Sequence, residues 1–149
     1  MILRQVQIRR SHPHYSWNLL WAVHTAAAVI ARADGGVHLT ERLALESYLR
    51  RCEVEDLKSP LARGLFDKCL RELEHHSGSE RYMLSRVLAG FGGTPWAWII
   101  LRAAEHVAAA DGAVHRAEIQ TIETIRTLLD LPPGVPERYP ACVLWLGRA

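Results

Sequence analysis

Cysteine is scarce in this chain. Its 149 residues hold three, Cys52, Cys69 and Cys142. The count is odd and no two stand in a C-x-x-C spacing, which excludes a disulfide framework and a thiolate zinc site. A reducing cytoplasm is the expected compartment, with all three as small core hydrophobes. Excess charge of one sign is also missing. Eighteen Lys and Arg against 16 Asp and Glu leave +2. Arg9-Arg10 and Arg50-Arg51 are too short for a basic patch, so no nucleic-acid partner is expected. No stretch reaches the ~18 uninterrupted apolar residues of a membrane span. No segment alternates with period two, which removes strands as the main element.

Catalytic signatures are missing as well. Gly90-Phe91-Gly92-Gly93 lacks the Lys-Ser/Thr that completes a phosphate loop. A di-iron bundle needs Glu-x-x-His twice, and only Glu72-Leu73-Glu74-His75 supplies it. There is no Ser or Cys nucleophile signature. The chain is not expected to be an enzyme.

What is present is apolar residue at helical spacing: 49% of the chain is hydrophobic, enough for one packed domain over residues 1–149. The class is all-α, a compact bundle of six to seven helices. Spacing predicts helices over about 16–32, 39–52, 60–75, 80–91, 95–110 and 116–129. Ser59-Pro60 and Thr94-Pro95 give start signals, and Gly92-Gly93 and Pro132-Pro133-Gly134 give stops. Residues 1–14 form a basic lead whose Ile2, Val6 and Ile8 can dock on the body. Residues 135–149 carry the apolar cluster Val143-Leu144-Trp145-Leu146, readable as a strand, a last helical turn or a partner anchor.

Arg4, Arg9 and Arg10 ahead of the apolar stretch 17–31, with Ala31-Arg32-Ala33 after it, imitate a secretory leader. Asn18, His24 and Thr25 interrupt that stretch. Residues 96–110 have a similar composition deep inside the chain, so both are read as mature helices.

That likeness extends further. Asp34-Gly35-Gly36-Val37-His38-Leu39-Thr40-Glu41 returns 77 positions later as Asp111-Gly112-Ala113-Val114-His115-Arg116-Ala117-Glu118. At this offset 11 of the 26 residues in 21–46 are identical to those in 98–123, Trp21 with Trp98 among them. Two helix–loop–helix repeats, about 16–52 and 95–131, are expected to fold around a pseudo-twofold axis. Small residues such as Ala26-Ala27 and Ala103-Ala104 suit close helix approach. Trp21 and Trp98 are expected as core anchors.

Two readings of the repeated acids stand open. In one, Asp34 and Asp111 turn the chain, and Glu41 and Glu118 close capping boxes at N3. His38 and His115 are poor N-caps, however. In the other, Asp34, Glu41, Asp111 and Glu118 converge as a carboxylate site. Such oxygens suit Ca²⁺ first, then Mg²⁺ or Mn²⁺. With His38 and His115 turned inward, Zn²⁺ fits.

At these residues the chain resembles the TerB-like tellurite-resistance family, in which an apolar helix leads to Ala-Asp-Gly, a hydrophobic residue and a helix-opening Glu, twice over. Here these are Ala33-Asp34-Gly35, Val37, Glu41 and Ala110-Asp111-Gly112, Val114, Glu118, and the likeness spans about residues 17–131. It implies an all-helical domain with a four-helix core and an acidic, metal-binding surface. It also implies roles in tellurite and other stress resistance beside membrane-linked partners; related modules are fused to DnaJ-type chaperones. Some members carry a further acid two positions after the Asp, where this chain has Gly36 and Ala113. That departure lowers the Ca²⁺ affinity the resemblance implies. The function expected is a non-catalytic stress-resistance module with an acidic, cation-binding surface for a protein partner. A metal-free interaction scaffold is the alternative, and a metalloenzyme the remote one.

Overall fold

The computed structural model describes residues 13–33, 35–52, 57, 64–76, 78, 80–110, 112 and 114–132. Among these there are six helices: α1 (Pro13–Arg32), α2 (Leu39–Arg51), α3 (Leu65–His75), α4 (Glu80–Leu88), α5 (Trp96–Ala108) and α6 (Arg116–Leu128). The basic lead and the Trp145 segment lie outside the described residues.

α1 starts at Pro13, three residues before the expected start. Proline suits a first helical turn, where its missing N–H is no loss. From Leu19 to Ala31, α1 is buried except at the half-buried Trp21. A helix apolar nearly all round belongs at the centre of a bundle. It packs most extensively on α5, and also on α3, α4 and α6, while α2 packs on α5. Ala22, Ala26, Ala27 and Ala31 of α1 and Ala97, Ala103, Ala104 and Ala108 of α5 are all buried. Side chains this small let the two backbones approach closely. Leucine and isoleucine fill the space around them: Ile99, Ile100 and Leu101 are fully buried, each contributing about 1.5–3 kcal/mol relative to exposure.

Two polar links cross the core. The Tyr48 hydroxyl donates to the Ile99 carbonyl at 2.8 Å, fixing α2 on α5. Thr25 Oγ1 and Cys69 Sγ stand 3.6 Å apart and join α1 to α3. Cys52 and Cys69 are buried, as expected of small core residues. Burial pushes the Cys69 thiol up to about 11, so it stays protonated at neutral pH. At the surface, Arg42 of α2 pairs with Asp67 of α3, and its guanidinium lies 5.2 Å from the Phe66 ring centroid. That guanidinium holds the Asp67 carboxyl below its ordinary value.

Some boundaries differ from the periodicity. Gly64 precedes α3 with φ 77°, a left-handed conformation that no continuous α-helix passes through. The helix expected from Pro60 therefore cannot run unbroken into Leu65; Ser59-Pro60 itself lies outside the described residues. α4 ends at Leu88 rather than Phe91, because Gly90 turns left-handed at φ 88°. Thr94 bonds backward, its hydroxyl to the Phe91 carbonyl at 2.7 Å, and closes a turn instead of capping α5. α6 ends before the Pro132-Pro133-Gly134 stop. Asp130 adopts φ 53°, the Leu131 N–H reaches the Arg126 carbonyl at 3.0 Å, and the Asp130 N–H reaches the Thr127 carbonyl at 3.1 Å. That pair of bonds is a Schellman motif with aspartate in the usual glycine place.

No helix among the described residues is long and apolar enough to cross a membrane.

Candidate functional site

The two Asp-Gly loops are built alike. After α1, the Ala33 N–H bonds the Ile30 carbonyl at 3.1 Å and the Gly35 N–H bonds that of Arg32 at 3.0 Å. After α5, the Ala110 N–H bonds the Val107 carbonyl at 3.2 Å and the Gly112 N–H bonds that of Ala109 at 3.0 Å. Each pair lies 77 positions from its counterpart. Gly35 and Gly112 carry φ of 95° and 83°, which explains glycine directly after each Asp: a side chain there would be strained. Asp34 and Asp111 themselves lie outside the described residues.

Each loop then opens a helix in the same way. His38 and His115 sit at the N-cap in extended conformation (φ −100°, ψ 153° and φ −77°, ψ 155°). Glu41 Oε1 accepts the His38 backbone N–H at 3.0 Å, and Glu118 Oε1 accepts that of His115 at 3.1 Å. Both glutamates are buried, at 5% and 4% exposure. An anionic group at N3 satisfies a donor that the helix leaves over and lies in the favourable end of the backbone dipole. The capping role read from the spacing is therefore present in both copies for Glu41 and Glu118. His38 and His115 are exposed.

The two described acids, Glu41 and Glu118, are carried by different helices of the bundle. α2, with Glu41, packs on α5, whereas α6, with Glu118, packs on α5, α1 and α4. Among the described residues, no three His, Cys, Asp or Glu side chains gather as a metal-holding set. The described donors at the two loops are the Glu41 and Glu118 carboxylates, whose oxygens suit hard divalent ions better than soft ones, and the exposed His38 and His115.

A second feature was not visible in the residue spacing. Trp21, expected as a core anchor like Trp98, is only half-buried, while Trp98 keeps 8% exposure. Trp21 lines a groove of about 610 Å³ between α1, α3 and α4. The signal available was the stretch between the two repeats, which supplies the α3 and α4 that flank Trp21. The apolar residues of α2 and of α6 and its C-cap also divide. Leu45, Tyr48, Leu49, Ile125 and Leu129 are buried, but Leu43 and Ile119 are about half exposed.

The class of protein is thus an all-α bundle with two alike Asp-Gly loops, each leading into a glutamate-capped helix. The family model described as tellurite resistance protein TerB matches residues 21–138, and the chain belongs to that family. Searches of curated proteins and of solved structures return no match.

Proposed function

We propose that this tellurite-resistance-type module is non-catalytic, and that its two Asp-Gly loops form an acidic, divalent-cation-responsive surface for a protein partner. The observation that carries the reading is the likeness of the loops. Turn bonds, left-handed glycines and N3 carboxylate bonds recur at one offset, and α2 packs on α5 as α6 packs on α1. Both features favour an internal duplication about a pseudo-twofold axis. Capping does not exhaust a carboxylate, which has about four lone-pair sites. One Glu41 or Glu118 oxygen on a backbone N–H is therefore compatible with cation binding beside Asp34 or Asp111. Ca²⁺ fits first, then Mg²⁺ or Mn²⁺; Zn²⁺ needs His38 and His115 to rotate inward. The non-catalytic reading rests on the single Glu-x-x-His and the missing nucleophile and phosphate-loop signatures. A cytoplasmic place, beside membrane-linked partners, is part of this proposal; the cysteine usage and the family resemblance support it.

Thermal melting with and without each ion tests this. A binding ion at a hundred times its Kd stabilises by about 2.7 kcal/mol, a rise of roughly 5–10 °C for a chain of this size. Asp34→Asn with Asp111→Asn abolishes the rise. A melting temperature indifferent to every divalent ion sinks the cation reading. The second reading, a metal-free interaction scaffold, is favoured by the two capping bonds. It expects that indifference, together with a partner lost on removing the Trp145 side chain.

A further inference from the structure

We propose that the groove between α1, α3 and α4 docks an acidic amphipathic helix of a protein partner. This goes beyond the cation reading of the loops and does not depend on it. The groove is of mixed lining: Trp21, Met83 and Val87 are half-buried and Phe91 is buried, and Asn18, Glu72, His76 and Arg86 stand among them. Tyr82 stands at the edge with 62% of its surface exposed. A volume of about 610 Å³ lies within the usual range for a binding cleft.

The rim is cationic. Lys68 Nζ stands 5.5 Å from the Trp21 ring centroid, and the Arg86 guanidinium 5.8 Å from that of Tyr82. Each cation is thus seated on an aromatic wall, where the ring quadrupole attracts it. Arg71 lines the adjoining cleft with Lys68, His75 and His76, and Glu72 is the one acid in either lining. A trough with an aromatic and aliphatic stretch, and with Lys68, Arg71 and Arg86 against Glu72 over the two adjoining linings, matches a helix that is apolar on one face and acidic beside it.

Charge also decides against nearer occupants. Residues 1–12 hold Arg4, Arg9 and Arg10 and no acid, and residues 133–149 hold Arg138 and Arg148 against Glu137. Both flanks carry the sign of the rim. The charge of the rim thus selects an acidic segment of another protein over either flank of this chain, and binding that grows with the chain's own concentration in sedimentation runs, from a second copy, would overturn it.

The test is fluorescence anisotropy on the full chain. Three labelled peptides share one Leu stripe at helical spacing and carry Glu, Gln or Lys on the polar face. The Glu peptide is expected to bind at micromolar Kd, about tenfold more tightly than the Gln peptide, a step of about 1.4 kcal/mol. The Lys peptide binds weakest. Lys68→Glu with Arg86→Glu, both at exposed positions, reverses the order, and Tyr82→Ala weakens all three. Equal affinities, no binding, or an order unmoved by the charge reversal overturns the proposal. So does Glu-peptide binding that appears only after Trp145→Ala, which assigns the groove to the chain's own tail. Binding of anionic lipid vesicles in place of the peptides overturns it too.

Discussion

Replacing Glu41 and Glu118 by Gln, and separately by Ala, separates the capping bond of these carboxylates from the cation role proposed for them. Each Oε1 accepts one N-cap backbone N–H, at 3.0 and 3.1 Å, from a side chain about 95% buried. Alanine leaves that donor without its acceptor. Loss of a hydrogen bond to a charged group costs about 1.5–3 kcal/mol, reduced where water reaches the vacated site, so about 1–2 kcal/mol per helix is expected. The two caps start different helices, so the costs should add. The double Ala variant then loses about 2–4 kcal/mol, or roughly 5–15 °C in melting temperature. Glutamine still accepts the bond and forfeits only the charge at the helix start, about 0.3–1 kcal/mol each. Urea unfolding followed by circular dichroism reads both series. Capping is refuted if Ala costs no more than Gln. If Gln retains stability but loses the divalent-ion response, the same carboxylates serve both roles.

Three further outcomes follow from single contacts. Tyr48→Phe should cost about 1 kcal/mol with an unchanged urea m-value, because its hydroxyl bonds the Ile99 carbonyl at 2.8 Å in a fully buried site; an unchanged midpoint would deny that bond. His24 is buried, and that burial lowers its pKa below 6.5 despite its bond to the Leu20 carbonyl. The unfolded chain therefore takes up a proton that the folded chain refuses, so stability falls as pH drops below 6.5 and the loss stops growing once the folded ring also protonates. The slope from this group is at most about 1.4 kcal/mol per pH unit, and His106 adds in the same direction through burial and the nearby Arg51. His24→Leu, the residue found at Leu101 in the other repeat, should flatten that slope between about pH 6.5 and 5 in urea melts; an unaltered slope would place the acid sensitivity elsewhere. Asp130→Gly should raise stability by about 0.5–1 kcal/mol, because Asp130 holds φ 53° at the end of α6, and a lowered midpoint would mean that its side chain holds a compensating contact.

Helix number and class were legible because the bundle's centre is written in composition. α1 and α5 are apolar on nearly every side, and no period-two signal competes. Ends were less legible, for a reason common to several of them. Gly90 and Asp130 follow helix ends, and Gly64 precedes a helix start, in left-handed backbone, yet proline was the more conspicuous signal in each neighbourhood. Ser59-Pro60, Thr94-Pro95 and Pro132-Pro133 mark where a helix is permitted or forbidden. Which residue turns is decided by whether the bonds of the last turn can close, and at Asp130 they close through Leu131 and Arg126.

The candidate site shows the same division between residue type and bond. Capping rules rank the side chain at the N-cap, and on that ranking His38 and His115 argue against a capping box. The bond that forms in both copies needs no particular N-cap side chain. Its donor is the backbone N–H, which every residue but proline offers, and its acceptor is the glutamate three positions on. The repeated Glu is thus informative, while the repeated His can vary without breaking that half of the box. Asp34 and Asp111 differ again. The Gly35 and Gly112 turns close on backbone groups, so nothing in those bonds calls for an aspartate before the glycine. A residue kept twice where the backbone does not require it is the reason to seek its role in a ligand, and the Asn pair addresses that directly: it preserves size and turn-forming capacity while removing two charges. If both loops keep their stability and lose only the ion response, the acids were there for the cation.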